Sequence, residues 1–394
     1  MPTLYGIYAV SILLLIFILI YWSERSRHKK RLRTIPLRIW VNGSRGKSSV
    51  TRLIAAGLRA NGMQVIAKTT GTLPRLVVDN HTEEPIIRLG MANIREQIKI
   101  VARAKKFEAQ AIVFECMALR PDLQRIEAHH IVQPTIVVVT NVRPDHLDVM
   151  GPSLKDIRKA FLDAMPARCI LFTTDTILAQ QSKTKDGIES ILVNANSLDP
   201  MTEETLARFS HIEHEENIAL ALSVCQQCGI EANDALQSMT LSQPDPGALR
   251  CHAMIVDGKR VDLVNAMAAN DPESTRIIWN KVDKGSYQHI HILINCRKDR
   301  IDRSLTFIET IRELGRDATS LILTGEATSV LYKRLKKHVT PDKILDLGNK
   351  GLEQASRIII SQAKNSSMIF AIGNTVGYGM DLINKIVEKG GSAC

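Results

Sequence analysis

The stretch WVNGSRGKSSV, residues 40–50, sets Gly43, Ser44, Arg45, Gly46, Lys47, Ser48 and Ser49 in a row. Two glycines followed by Lys-Ser suit a loop that grips phosphate. Glycine lets backbone N–H groups close around phosphate oxygens, lysine neutralises them, and the serine hydroxyl can ligate a divalent ion. The longer loop form G-x-x-x-x-G-K-[ST] would need its first glycine at position 41, which is Val41. Any phosphate loop here is therefore a tighter one. Two more segments carry chemistry. Glu115 closes the apolar run AIVFE, and TIVVVTNVRPDHLD places Asn141, Asp145, His146 and Asp148 just beyond a second run. Carboxylates and imidazoles at the carboxyl ends of buried strands are placed where α/β sheets bind ligands and metals.

These residues need a frame, and the apolar pattern supplies one. LRIWV reads as a short buried strand, and SSVTRLIAAGLRANG as a helix with Val50, Leu53, Ile54 and Leu58 on one face, closed by Gly62. AIVFE (111–115), TIVVVT (135–140) and CILFTT (169–174) are further strands, separated by helical or looped segments. Such alternation implies a parallel sheet covered on both faces. SQPDPG, residues 242–247, breaks the chain with two prolines and a glycine. Strands resume near RVDLVN, IHILIN, SLILTG and MIFAIG, so the expected fold class is α/β twice over. The expected layout is an anchor at 1–22, a basic linker at 23–36, a nucleotide-binding central domain at 37–242 and a smaller Rossmann-like α/β domain at 247–394.

At 394 residues, with 45% hydrophobic and 23% charged residues, the chain is long enough for two cores. Its first 22 residues carry no charge, and Leu4 to Trp22 is almost wholly apolar. Nineteen helical residues span about 28 Å, close to the hydrocarbon thickness of a bilayer. The basic residues follow the apolar run rather than precede it, which argues for an anchor over a signal peptide and leaves the rest of the chain in the cytoplasm. Residues 23–38 hold seven Arg or Lys and one Glu, so six of the ten net positive charges sit beside the span. The remainder is too mildly basic to indicate nucleic acid. Seven scattered cysteines fit a reducing compartment, and Cys225-Gln-Gln-Cys228 lies in a helical pattern without a second ligand pair, so it reads as structural.

A tight G-x-x-G-K-[ST]-[ST] loop, a strand-end Glu and T-N-x-x-x-D-H-L-D, in that order, resemble the Mur ligase superfamily, which includes folylpolyglutamate synthase. The strings WVNGSRGKSS, KTTGTLPR, FECMALRPDLQ, TNVRPDHLDVMG and NAMAANDPEST, behind a membrane anchor, are most similar to the ligase subunits of bacterial poly-γ-glutamate synthases. The resemblance implies ATP and Mg²⁺, or Mn²⁺ in its place. It assigns Lys47, Glu115 and His146 to catalysis and Ser48, Thr70, Glu115 and His146 to the metal. It brings Asn217 to the adenine, Arg250 to the phosphates, and Asn270 and Asp271 to the nucleotide as well. Two departures stand out. No UDP-sugar domain precedes the loop, and Phe161 occupies the position at which many family members carry a carbamylated lysine, with Lys159 two residues away.

The chemistry implied is amide formation. A substrate carboxylate takes the γ-phosphoryl group of ATP, and an amine then displaces phosphate from the acyl phosphate. Glutamate and its γ-linked polymer are the expected substrates, and other membrane subunits the expected partners for export. Arg75, Arg88, Arg120, Arg297 and Arg300 are candidates to grip carboxylates. Two other readings stay open at this point: a nucleotide-binding scaffold without turnover, and a ligase with a folate-like acceptor.

Overall fold

The computed structural model describes residues 2–70, 74–88, 90–144, 147–194, 208–209, 214–244, 250–267, 269, 272–375 and 377–390. The chain divides into two compact units, Met1–Asp245 and Pro246–Cys394.

The first unit opens with helix α1 (Pro2–Arg33), 32 residues long. It runs unbroken through residues 23–33, most of the 23–36 stretch read from sequence as a linker. The reason is local packing: Leu32 is buried with Ile35 in the core of the unit, and the Nε2 of buried His28 lies 2.7 Å from the Ile131 carbonyl. Pro36 then disfavours a helical Ile35, and the chain turns into a strand.

The strands of this unit are β1 (Leu37–Asn42), β2 (Val65–Thr69), β3 (Arg75–Val77), β4 (Glu83–Pro85), β5 (Ala111–Glu115), β6 (Ile136–Val139), β7 (Ile170–Thr173) and β8 (Glu189–Leu192). They form one sheet in the order β4-β3-β2-β5-β1-β6-β7-β8. The long body is parallel, and β3 and β4 add an antiparallel hairpin at one edge. Alternation along β1 divides the core. Ile39 and Val41 face one layer with Val50, Leu53, Ile54 and Leu58 of α2 (Lys47–Leu58), while Trp40 faces the other with Ile100 of α3 (Glu96–Lys106). Each such fully buried side chain contributes roughly 1.5–3 kcal/mol, which holds the loop between β1 and α2 in place. Helix α2 ends in a short tight turn capped by Gly62 at φ 81°, as its sequence pattern requires.

Further helices of the unit are α4 (Pro121–Ile126), α5 (Leu147–Met150), α6 (Leu154–Ala164), α7 (Thr176–Ser182), α8 (Glu215–Gln227) and α9 (Ala232–Thr240). A Cβ on Gly57 of α2 would come within 2.6 Å of both Cys225 Sγ and Met239 Cε. Cys225 is thus a packing residue where three helices meet, and burial pushes its thiol up, away from the reactive thiolate.

The second unit holds β9 (Arg250–Val256), β10 (Lys259–Asn265), β11 (His289–Cys296), β12 (Ser320–Gly325), β13 (Ile344–Gly348) and β14 (Ser367–Gly373). Their order is β13-β12-β11-β14-β10-β9, parallel except for β9. Helices α10 (Pro272–Lys281), α11 (Ile301–Thr306), α12 (Ile308–Leu314), α13 (Thr328–Leu335), α14 (Leu352–Gln362) and α15 (Tyr378–Gly390) connect them. β2, β3, β4, β8, β9 and β13 are absent from the sequence reading. All but β2 are short, polar or edge strands whose partners supply what their own composition lacks, and β2 is an interior strand of only five residues interrupted by Lys68.

Candidate active site

The loop between β1 and α2 lies at the carboxyl edge of the sheet. Gly43 adopts φ 125°, and a Cβ there would stand 2.2 Å from Thr140 Oγ1 and 2.8 Å from the Thr140 nitrogen. No other residue type fits. Gly46 adopts φ 79°, and its Cβ would stand 2.6 Å from Asn217 Oδ1. Asn217, on the first turn of α8, therefore rests directly on the loop, next to where the sequence places a nucleotide.

A second strand end clamps this loop. Thr140 Oγ1 donates to the Arg45 carbonyl at 2.6 Å, Asn141 Oδ1 accepts from the Arg45 nitrogen at 3.1 Å, and Ser44 Oγ donates to the Arg143 carbonyl at 2.8 Å. The Ser44 nitrogen donates to the Asn141 carbonyl at 3.0 Å. Thr140, Asn141 and Arg143 thus shape the loop, a role that motif spacing alone did not show for Thr140 or Arg143. Lys47 folds over it, its Nζ donating to the Gly43 carbonyl at 2.8 Å.

Glu115 joins three elements. Its Oε2 accepts from Ser48 Oγ at 2.9 Å and from the Thr70 nitrogen at 2.6 Å, and the residue is 3% exposed. Thr70 takes part through its backbone, not through the hydroxyl that a metal ligand would use. Behind this edge lies a buried ionic layer. Lys68 Nζ pairs with Glu96 Oε1 at 2.8 Å, and Arg88 Nε pairs with Glu96 Oε2 at 2.7 Å. Burial lowers the Lys68 ammonium, and the charge and hydrogen bond of Glu96 oppose that. Burial likewise raises Glu127, against hydrogen bonds donated by Gln97 and Trp40.

The carboxylate-binding candidates separate. Arg75 pairs across the hairpin with Thr69, and its Nε is buried without a hydrogen-bond partner among the described residues. Arg88 is committed to Glu96, Arg120 to Asp122 at 2.8 Å and Arg297 to Asp299 at 2.7 Å. Asp145, His146, Asn270 and Asp271 lie outside the described residues, and only the backbone of Arg250 and Arg300 is described. Phe161 is 1% exposed inside the apolar core on α6, while Lys159 is 73% exposed and paired with Asp163. Phe161 has no amine to carbamylate, and the Lys159 ammonium is engaged by Asp163 at the surface of α6.

The residues present fit a divalent metal with nucleotide phosphates. A hydroxyl and one carboxylate, both hard oxygen donors, suit Mg²⁺, which takes one or two carboxylates and completes its shell with phosphate and water.

In the second unit the connections diverge between β11 and β14, a topological switch point at which α/β sheets bind ligands. The stretch Gly373-Asn-Thr-Val-Gly377-Tyr-Gly379 leads from β14 into α15. Asn295, at the end of β11, is fully buried: its Nδ2 donates to the Asn374 carbonyl at 2.5 Å, and its Oδ1 has no partner among the described residues. The spacing of Gly373, Gly377 and Gly379 is the signal of this loop in the sequence.

A phosphate loop braced by neighbouring strand ends, a metal-competent Glu-Ser pair and a second α/β unit define a ligase of the Mur type. Residues 41–205 match the Mur ligase middle domain, and residues 251–389 match the poly-gamma-glutamate synthase CapB C-terminal domain. The chain is similar to PGA synthase CapB of Bacillus subtilis (strain 168), 36% identical over 389 residues and 97% of each chain. It is 34% identical to the capsule biosynthesis protein CapB of Bacillus anthracis over 388 residues, covering 95% of this chain and 82% of that one. Among solved structures it resembles a bifunctional folylpolyglutamate synthase/dihydrofolate synthase of Yersinia pestis, complexed with AMPPNP and Mn (TM-score 0.63, 13% identity, 92% of each chain). It also resembles MurF of Acinetobacter baumannii (TM-score 0.65, 14% identity, 92% of this chain and 79% of that one). The chain belongs to the poly-gamma-glutamate synthase CapB family. It is an ATP-dependent amide ligase, and the scaffold reading falls away.

Proposed function

We propose that this ligase extends poly-γ-glutamate at the cytoplasmic face of a membrane. The observation that carries the reading is the convergence of Ser48 Oγ and the Thr70 nitrogen on Glu115 Oε2, beside the loop of Gly43 to Lys47. The γ-carboxylate of a glutamate chain attacks the γ-phosphorus of ATP, the bond to the bridging oxygen breaks, and ADP leaves. The amine of a free glutamate then attacks the acyl phosphate carbonyl, loses a proton, and releases inorganic phosphate as the amide forms.

The loop N–H groups hold the phosphates, and Lys47 swings from the Gly43 carbonyl to the γ-phosphate, where it offsets the charge spread over the transferring group. Ser48 and Glu115, with His146, would hold Mg²⁺, which supplies charge neutralisation between the phosphates. Asn217, seated on Gly46, lies where the adenine would stack. Arg75, paired across the hairpin with Thr69 and with no hydrogen-bond partner for its Nε among the described residues, binds the carboxylate of the chain. The apolar part of α1 crosses the bilayer: within Tyr5–Arg33 an 18-residue window has a mean hydropathy of 2.3, and none of that window is buried in the protein.

The test is amide product. Membranes carrying the protein and its membrane partners should consume ATP only with glutamate or its polymer and form γ-linked amide from labelled glutamate. ATP turnover that survives Lys47→Ala, or an acceptor other than glutamate, would sink the proposal.

A further inference from the structure

Where α1 leaves its apolar stretch, a groove of about 640 Å³ lies between the helix and the body of the first unit. Phe17, Ile20 and Arg25 of α1 line one side, and Arg95, Ile98 and His130 line the other. Phe17 and Ile20 lie inside the run that ends at Trp22, so the groove begins about 7 Å within the apolar zone along the helix axis. With α1 across a bilayer, this geometry would set the body against the bilayer surface, with Ile98 at the depth of headgroups and upper acyl chains.

A second observation lies in the chain that leads to the groove wall. Outside α1, the two most exposed large apolar side chains among the described residues are Ile87, at 82%, and Met91, at 97%. Both belong to the segment that runs into Arg95. Arg95 in turn pairs with Glu24 of α1 at 2.9 Å, which occupies the carboxylate on the groove wall and leaves Arg25 and His130 as its basic groups. A pocket of this volume falls within the usual range for a small-molecule ligand, roughly 300–1,000 Å³.

We propose that the groove binds one anionic phospholipid of the leaflet that the basic end of α1 faces, with acyl carbons against Phe17, Ile20 and Ile98 and the phosphate at Arg25 and His130. Ile87 and Met91 dip into the same interface. The inference rests on the membrane reading of α1. Charge decides the occupant: a transmembrane helix of a partner would bury the Arg25 guanidinium without an anion, whereas a lipid phosphate pairs with it.

The full-length chain is placed in nanodiscs of phosphatidylcholine alone or mixed with phosphatidylglycerol, and retained lipid is counted by native mass spectrometry after transfer to detergent. One phosphatidylglycerol should remain bound to the wild type. Arg25→Gln should weaken retention about fivefold, the worth of one basic group at a lipid surface. Ile98→Trp should fill the groove and abolish retention while leaving thermal unfolding unchanged. Equal retention of both lipids, retention indifferent to both variants, or cross-linking from position 98 to a partner membrane protein would each overturn the inference. A chain that enters neither nanodisc would overturn the membrane reading itself, a distinct result.

Discussion

Ser48 Oγ donates to Glu115 Oε2 at 2.9 Å although 67 residues separate the two in sequence. One residue starts the helix after the phosphate loop and the other ends a neighbouring strand, so parallel pairing of β1 with β5 is what brings them together. Glu115→Gln keeps the shape and removes the charge. Turnover should fall roughly 10²–10³-fold, as for other preorganised electrostatic groups at a reacting centre. Ser48→Ala should raise the metal concentration for half-activation roughly 10–100-fold. Metal titrations of ATP turnover check both, and unchanged titration curves would remove the pair from the site.

The two loop glycines should respond differently to a methyl group. Gly46→Ala meets the amide of Asn217, a side chain that can shift, and incurs roughly 1–2 kcal/mol for a left-handed backbone. The KM for ATP should rise about tenfold. Gly43→Ala meets the Thr140 backbone nitrogen, which cannot move without the strand, so nucleotide binding should be lost. Equal effects from the two variants would contradict the packing described.

Arg75→Gln probes the acceptor. A charge-assisted hydrogen bond is worth roughly 1.5–3 kcal/mol, so the KM for the glutamate chain should rise at least about tenfold. The KM for ATP should stay where it is. A change confined to ATP would move Arg75 out of the acceptor site.

Lys68 tests the buried layer. Lys68→Met leaves Glu96 without its ammonium partner at 2.8 Å, and breaking such a pair from one side costs roughly 3–5 kcal/mol. Adding Glu96→Leu should recover much of the loss. Denaturant midpoints of the solubilised chain decide this; a neutral single substitution would mean the pair adds nothing.

His291 gives the second unit a pH dependence. Burial first, then the charges of His289 and Lys364, lowers its imidazole to about 4, and Nδ1 lies 2.8 Å from Ser320 Oγ. The folded state holds the neutral ring while the unfolded chain takes up a proton below about 6.5. Stability from this group is therefore complete above pH 6.5 and declines as pH falls toward 4, by on the order of 3 kcal/mol in full. Unfolding of the second unit followed against pH should show that slope, and His291→Asn should flatten it.

The sequence alone determined a good deal, for identifiable reasons. Gly43, Gly46, Lys47 and Ser48 are contiguous, so their loop is set by local conformation and by the helix that Val50, Leu53, Ile54 and Leu58 bury. AIVFE and TIVVVT are apolar throughout because both faces of their sheet are covered, which marks them as buried parallel strands without a partner in view. The apolar run before Trp22 and the basic residues after it are likewise visible by composition.

Tertiary structure decided the rest, because it rests on contacts between residues distant in sequence. Only packing shows that Asn217 sits against Gly46, that Thr140 and Asn141 clamp the Arg45 backbone, and that Thr70 serves Glu115 through its nitrogen. Arg75 and Arg88 look alike as loop arginines. The fold gives Arg88 to Glu96 and leaves Arg75 Nε without a partner among the described residues, since one lies beside the amino end of α3 and the other across the hairpin from Thr69. Basic composition predicts a linker after the anchor, but Leu32 and His28 find buried places in the body, and that tertiary contact keeps α1 a single helix into the catalytic unit.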